Sequence, residues 1–155
     1  MKKVTTVSLG SDHGGWRLKE YLKGVLTKKG FRIEDYGTFS EESMDYPDTA
    51  YQVAASVSTG KTRRGILICK TGIGNCIAAN KLPRVRAALC YNAKAARLSR
   101  QHNDANVLVL GALFVNRRQA RHLVDIWLAT AFEGGRHQRR LKKIERIERS
   151  CLPVS

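Results

Sequence analysis

The order of apolar and polar positions along the chain predicts alternating strands and helices. Five short apolar or β-branched runs have the length of buried strands, and they cover residues 4–9, 31–35, 65–69, 85–89 and 107–110. A segment with apolar residues at helical spacing follows each run. The first two of these segments stop at Gly30 and Gly60, and the other three cover residues 74–81, 93–101 and 117–130.

This alternation predicts the α/β fold class, because parallel neighbouring strands need crossover connections and helices supply them. We expect a single-domain, three-layer α/β/α architecture of the Rossmann or flavodoxin type with a five-stranded parallel sheet. The chain of 155 residues suffices for one core and is too short for two ordinary domains. Residues 1–135 are assigned to the α/β unit. Residues 136–155 are assigned to a basic helical arm of the same domain, which packs on the domain edge or on a second subunit.

The composition of the chain limits the kinds of molecule that it can be expected to bind. The formal net charge of +15 favours anionic partners. Nucleic acid is disfavoured, because aromatic residues make up 7% of the chain and the basic arm has none after Phe132. The four cysteines show no paired CxxC spacing, so reduced thiols and no structural metal are expected. No signal peptide or membrane span is visible, so we expect a cytoplasmic protein that does not contact a membrane.

The stretch ILICKTGIGNCIAAN, residues 66–80, predicts a strand, a tight turn and the start of a helix. Gly72 and Gly74 allow backbone N–H groups to approach a ligand oxygen, and a helix N-terminus adds partial positive charge. Cys69 should then ionise more readily than an ordinary cysteine and act as a base or a nucleophile. The alternative is a small apolar residue at a strand end. The Thr71 hydroxyl either relays a proton or bonds the backbone.

Other polar residues lie near predicted strand ends, where parallel sheets bind ligands beyond the carboxyl ends. Asp12 and His13 follow the first strand, although Asp12 could also cap the first helix. His102 and Asn103 precede the fifth strand, which argues less strongly for a shared pocket. Neither the P-loop nor the GxGxxG spacing is present, so a nucleotide cofactor is not expected.

Five stretches, in order along nearly the whole chain, share one resemblance. They are GSDHGGWRLKEYL (10–22), DYGTFSEESMDYPD (35–48), ILICKTGIGNCIAANK (66–81), RAALCYNAKAARLSRQHNDANVLVLGA (86–112) and FEGGRHQRR (132–140). Together they resemble the B-type ribose-5-phosphate isomerase family, whose relatives include the galactose-6-phosphate isomerase subunits. The resemblance implies an aldose–ketose isomerase that acts on a phosphorylated sugar through a cis-enediolate, with no metal or organic cofactor.

The resemblance also implies roles for single residues. By its position in the matching motif, Cys69 is the base that moves a proton between C2 and C1, Thr71 assists proton movement, and His102 opens the sugar ring. The implied substrate-binding residues are Asp12, His13, Tyr46, Gly72, Gly74, Asn103, Arg136 and Arg140, the two arginines at the phosphate. The implied assembly is a homodimer or tetramer whose sites lie at the subunit interface.

Two positions depart from the family pattern. Lys70 stands where glycine is usual, and Leu113 stands where many relatives carry an arginine that holds phosphate. Lys70 is strained if the turn requires a positive φ; otherwise its ammonium group lies near the bound anion. We expect Lys70 to bind substrate and to replace part of the charge that is missing at Leu113.

Three functions remain open at this point. The first is isomerisation of ribose 5-phosphate to ribulose 5-phosphate in the pentose phosphate pathway. The second is isomerisation of a six-carbon sugar phosphate such as galactose 6-phosphate or allose 6-phosphate. The third is a non-enzymatic anion or nucleic-acid binder on the same fold, which the net charge motivates. Joint retention of Cys69, Thr71, His102 and both tail arginines favours the first.

Overall fold

The computed structural model describes residues 5–151. Its elements in chain order are β1 (Thr6–Ser11), α1 (Trp16–Lys28), β2 (Arg32–Asp35), α2 (Tyr46–Ser58), β3 (Arg64–Cys69), α3 (Ile73–Ala79), β4 (Ala87–Leu89), α4 (Ala93–Asn103), β5 (Val107–Gly111), α5 (Arg117–Ala129) and α6 (Arg136–Cys151). The predicted strands and helices are all present, with small shifts at their ends. The predicted strand start at Val4 and the last residues of the arm, 152–155, lie outside the described residues.

The five strands form one parallel sheet in the order β2-β1-β3-β5-β4, which confirms the predicted fold class. The order departs from the flavodoxin type at one end, because β5 lies between β3 and β4. The central strand is β3. Its last residue, Cys69, pairs with Gly111 of β5, and Ile68 pairs with Ser11 of β1.

Side chains of β3 alternate between two apolar layers. Ile66 and Ile68 belong to the layer that contains the buried side chains of α1, α4 and α5. Leu67 belongs to the opposite layer, with the buried side chains of α2 and α3. Because the alternation has a period of two, the Cys69 side chain lies on the α2 and α3 side.

Every helix that joins two parallel strands must return across the sheet in the opposite direction. Residues that follow strands therefore collect at the carboxyl edge of the sheet, and residues at the ends of the connecting helices collect at the amino edge. A strand of five or six residues separates the two edges by about 15 Å. No helix within residues 5–151 has the length and apolar character needed to cross a bilayer.

A buried ion pair ties α1 to the end of β2. Lys19 has no exposed surface, and its Nζ lies 2.8 and 2.7 Å from the two carboxylate oxygens of Asp35. Lys23 and the backbone N–H of Gly37 donate to the same carboxylate. Burial by itself raises the pKa of Asp35, but these three donors outweigh it and lower the pKa. The pair also fixes the loop beside β1, where the Gly37 carbonyl accepts from the N–H of Ser11.

We expect Asp35→Ala to lower the free energy of unfolding by about 3 kcal/mol, because it leaves the buried ammonium group of Lys19 without its main partner. Urea unfolding at pH 7 measures the change. Because the folded-state pKa of Asp35 is lowered, its contribution is present above pH ~4 and disappears as the pH falls through the folded-state value. Adding Lys19→Met to Asp35→Ala should restore part of the loss. An unchanged free energy of unfolding in Asp35→Ala would show that the Lys19–Asp35 pair does not stabilise the fold.

Candidate active site

The turn after β3 surrounds the sulfur of Cys69 with backbone N–H groups. Sγ accepts a hydrogen bond from the N–H of Gly72 at 3.1 Å, and the nearby N–H groups of Asn75 and Thr71 also lower the pKa of the thiol. Gly72, the residue before α3, has a φ of +81°, a conformation that favours glycine. The sulfur therefore lies where negative charge on it would be stabilised.

Burial nevertheless dominates the ionisation of this thiol. Cys69 is 4% exposed, and burial raises its pKa above the ordinary value; the N–H groups of Asn75 and Gly72 offset only part of this rise, and the Asp12 carboxylate adds to it. The expectation that Cys69 ionises more readily than an ordinary cysteine is therefore wrong for the unliganded chain. Cys69 is one of the buried core side chains, although it belongs to neither of the two apolar clusters described above for residues 5–151.

Asp12 and His13 follow β1 at the same edge of the sheet. Asp12 is buried, and its Oδ1 accepts a hydrogen bond from the N–H of Gly15 at 3.0 Å, which closes the turn before α1. The Nδ1 atom of His13 accepts from the N–H of Met44 at 3.3 Å. Asp12 thus stabilises the local turn and also lies close enough to affect the charge of the neighbouring thiol.

Tyr46 and Thr71 border the turn on its outer side. A Cβ added to Gly74 would lie 2.4 Å from Cζ of Tyr46, so the tyrosine ring rests directly on this glycine. The Thr71 hydroxyl accepts from the N–H of Ile73 at 3.3 Å, and the hydroxyl of Tyr91 donates to the Thr71 carbonyl at 3.0 Å. In the unliganded chain, Thr71 therefore bonds the backbone.

The two departures from the family pattern are neighbours. Lys70 is exposed and is not strained, since Arg84 and Asp104 are the non-glycine residues with positive φ between residues 5 and 151. A Cβ added to Gly14 would lie 2.4 Å from Cγ of Lys70, so the lysine stem packs on that glycine. Leu113 is 69% exposed, and its N–H donates to the Lys70 carbonyl at 2.9 Å. The lysine is therefore close to the place of the missing arginine.

A second group of predicted site residues lies at the amino edge of the sheet. His102, near the end of α4, stacks on His137 of α6 with ring centroids 4.2 Å apart and ring planes 11° apart. Desolvation, together with His102 and Arg136, lowers the pKa of His137. Arg136 and Arg140 are exposed one helical turn apart, and neither has an acidic partner among residues 5–151.

This amino-edge group contains one set of metal-ligand residue types. The ligand atoms of His102, Glu133 and His137 lie within 4.8 Å of one another. The two imidazole rings stack instead of converging on a common point, and Arg136 and Arg140 place positive charge beside them. This arrangement fits an anion better than a cation.

The predicted site residues thus divide into two clusters. The cysteine cluster at the carboxyl edge consists of Asp12, His13, Tyr46, Cys69, Lys70, Thr71, Gly72 and Gly74. The histidine cluster at the amino edge consists of His102, Asn103, Arg136 and Arg140. About 15 Å of strand separates the two edges, so a single chain does not bring Cys69 and His102 together.

Sequence reasoning missed one residue at the turn. Asn75 is fully buried beside Cys69, and its side chain has no hydrogen-bond partner in the described part of the chain. A signal was available: Asn75 is a strongly polar residue in a helix of otherwise small or apolar side chains, four positions before buried Ala79.

Comparison with known families assigns the chain. The sequence profile of one family, Ribose/Galactose Isomerase, matches residues 7–144, a range that contains both clusters. The chain belongs to the ribose/galactose isomerase family. The match confirms the resemblance that the five sequence stretches indicated.

Relatives within the family are similar over nearly their whole length. Ribose-5-phosphate isomerase B of Escherichia coli is 47% identical over 148 residues, which cover 96% of this chain and 97% of that protein. The structure of Clostridium thermocellum ribose-5-phosphate isomerase B is 49% identical, with a TM-score of 0.93 over 94% of this chain and 99% of that one. The Mycoplasma genitalium ribose-5-phosphate isomerase B, solved with bound ribulose-5-phosphate, is 44% identical, with a TM-score of 0.90 over 94% of this chain and 97% of that one.

We expect Lys70→Gly to raise the KM for ribose 5-phosphate about ten-fold, because the substitution removes a cation beside the position of the missing arginine. Steady-state kinetics measure the change. Leu113→Arg introduced into Lys70→Gly is the matched control, and it should restore most of the affinity. Unchanged or tighter binding in Lys70→Gly rules out the compensation.

Proposed function

We propose that this chain is a ribose-5-phosphate isomerase that interconverts ribose 5-phosphate and ribulose 5-phosphate through a cis-enediolate. The main support is the position of the Cys69 sulfur, which accepts a hydrogen bond from the N–H of Gly72 and lies near the N–H groups of Asn75 and Thr71. The relatives named above, which belong to the same family, are ribose-5-phosphate isomerases. The proposal assigns the chain to the pentose phosphate pathway in the cytoplasm.

The first step opens the sugar ring. We assign it to His102, because imidazole can both accept and donate a proton at neutral pH. The imidazole takes the proton of the C1 hydroxyl while the bond from C1 to the ring oxygen breaks, and a proton returns to that oxygen. Stacking on His137 holds the imidazole in one orientation for this transfer.

The second step moves a proton between the two reacting carbons. The thiolate of Cys69 takes the proton from C2, and the electrons of the C–H bond form the C1–C2 double bond while those of the carbonyl move onto its oxygen. Backbone N–H groups at the turn stabilise the resulting charge, and such donors are worth about 3 kcal/mol each. Return of the proton to C1, with a proton shift between the oxygens assisted by Thr71, gives the ketose.

The phosphate requires cations. Arg136 and Arg140 are exposed on α6 and have no acidic partner in residues 5–151, so their guanidinium groups are free to bind it. The planar guanidinium fork suits phosphate better than an ammonium group does. Lys70 adds a cation at the carboxyl edge of the sheet, within the cysteine cluster.

We infer that a second copy of the chain completes each site. A two-fold axis would place the histidine cluster of one protomer over the cysteine cluster of the other, and symmetry would produce two such sites. Large apolar side chains are exposed around the cysteine cluster, as expected for a surface that another chain covers. They are Ile73 (51% exposed), Ile77 (58%), Leu113 (69%) and Phe114 (54%).

The helical arm offers a further contact for the second copy. His137 and Leu141 anchor the first turns of α6, whereas Ile144 and Ile147 beyond them are largely exposed. Below them lies a groove of about 640 Å³ that is lined in part by Leu82, Val85 and these isoleucines, and it does not include Cys69. A dimer contact along the arm would cover this apolar line.

We expect Cys69→Ala to lower kcat by about 10³-fold or more, because the base is removed while the fold remains. The assay follows ribulose 5-phosphate formed from ribose 5-phosphate. Cys151→Ala is the matched control, since this thiol is exposed near the end of α6 and should be dispensable. Full activity of Cys69→Ala would remove Cys69 from its role. Faster turnover of galactose 6-phosphate or allose 6-phosphate by the wild type would favour the six-carbon alternative.

The raised pKa of Cys69 sets the sign of the pH dependence. The thiolate is the active form, so kcat/KM should rise with pH and should not level off until the pH passes the ordinary cysteine value of about 8.5. If kcat/KM of the wild type levels off below pH 7, the assignment of Cys69 as the base is contradicted.

A mixing experiment tests the shared site. Cys69→Ala and His102→Asn are each expected to be inactive alone, but a heterodimer of the two holds one intact site. Random reassortment should therefore restore about one quarter of the wild-type activity, since half of the dimers carry one good site of two. Mixing two batches of Cys69→Ala is the control. No recovery of activity after proven subunit exchange would contradict the shared site.

A further inference from the structure

Asn75 carries a polar group that the fold does not use. The residue has no exposed surface, and neither Nδ2 nor Oδ1 has a hydrogen-bond partner. Buried polar groups are nearly always paired, because an unpaired one loses its hydration without compensation. Among residues 5–151, the other buried side chains in this condition are Ser11 and Trp127.

The location of Asn75 connects this unpaired group with the reacting sulfur. The backbone N–H of Asn75 lies near Sγ of Cys69 and lowers the pKa of that thiol. Side chains in a helix lean toward its N-terminus, so the carboxamide of this third helical residue lies back over the turn at residues 71–72. Asn75 shares its helix face with Ala79, which packs in the α2 and α3 layer, and the Cys69 side chain lies on the same side of the sheet.

Packing alone does not explain an asparagine at this position. The other side chains of α3 are small or apolar, and an apolar residue of similar size would fill the same space without the desolvation cost. Sequences most often depart from the rule that buried polar groups are paired at functional sites, and this buried amide lies next to the group proposed to react.

We propose that Asn75 is a further catalytic residue, whose carboxamide binds the two oxygens on the reacting carbons of the sugar. A cis-enediolate presents one anionic oxygen and one hydroxyl on the same side of its double bond. A primary amide presents a donor and an acceptor side by side, so Nδ2 donates to the anionic oxygen while Oδ1 accepts from the hydroxyl. This assignment rests on the proposed isomerase function.

The arrangement of Tyr46 suggests how substrate reaches the carboxamide. Its ring rests on Gly74, the residue before Asn75, and is itself 40% exposed. Displacement of this ring by the sugar would open the turn without unfolding α3. The ligand would then supply the hydrogen bonds that Asn75 lacks in the unliganded chain.

Asn75→Leu separates this role from a structural one. Removing an unpaired buried amide should raise the Tm by a few degrees. If the carboxamide binds the enediolate, kcat should nevertheless fall by about 10²-fold, with KM changed far less, because the lost contact forms in the transition state. The readouts are kcat and KM with ribose 5-phosphate and the Tm from calorimetry.

Asn80→Leu is the matched control. The Asn80 amide is fully paired, with bonds to the carbonyl of Cys76 and to both the N–H and the carbonyl of Ala87. Its loss should lower the Tm and leave kcat within about two-fold of wild type, the reverse of the Asn75→Leu pattern.

Asn75→Asp provides a second, independent measurement. It keeps the size of the side chain and adds a negative charge beside Cys69, so the rising limb of the kcat/KM profile should shift to higher pH. If the wild type turns over ribose 5-phosphate, either of two results overturns this inference alone. One is a kcat of Asn75→Leu within about two-fold of wild type, and the other is no pH shift in Asn75→Asp. Absence of turnover in wild type overturns the proposed function as well.

Discussion

The return of every connecting helix across a parallel sheet determines how this chain can act. Because each crossover reverses direction, residues after strands and residues after helices collect at opposite edges. Cys69 ends β3 at one edge, and His102 lies near the end of α4 at the other. A single domain of this topology therefore carries the two clusters of predicted site residues at opposite edges of the sheet. In the proposed dimer, a two-fold axis brings the cysteine cluster of each protomer to the histidine cluster of its partner and so forms two sites.

The environment of Cys69 has two opposing effects on the ionisation of its thiol. Desolvation raises the pKa of the thiol, while the N–H groups of Asn75 and Gly72 favour the charged form. A carbon-bound hydrogen is a weak acid, so a stronger base suits its removal even though less of that base is ionised at neutral pH. In the proposed reaction, the same exclusion of water strengthens the N–H contacts to the enediolate once charge moves onto the sugar. Under this proposal, the turn stabilises the charge of the intermediate more than the charge of the resting thiol.

The sequence was sufficient for those features that depend on local pattern. Alternating periods of two and 3.6 identified the strands and helices, and the glycine at position 72 indicated a turn that the structure builds with a positive φ. The position of β5 inside the sheet was not predictable, since it depends on which pairing buries the most apolar surface. The ionisation of Cys69 was predicted with the wrong sign, because spacing reports the N–H groups and does not report desolvation. Asn75 was missed for a similar reason: an unpaired amide is a property of its neighbours in space.

The net charge of +15 overstates the charge available to a partner. Arg100 is 2% exposed; it bonds the Asp104 carboxylate and the Ala105 carbonyl, and it lies over the ring of Trp127, so it serves the fold. Arg86 likewise bonds the Asp104 carboxylate and carbonyl.

Arg136 and Arg140 differ, because they are exposed, adjacent on one helix and without acidic partners in residues 5–151. Two such guanidinium groups match one phosphate dianion, whereas a nucleic-acid surface would need a longer cationic stripe with aromatic side chains between the charges. In the proposed function, the remaining positive surface attracts the phosphorylated sugar from a distance, and these two arginines bind its phosphate.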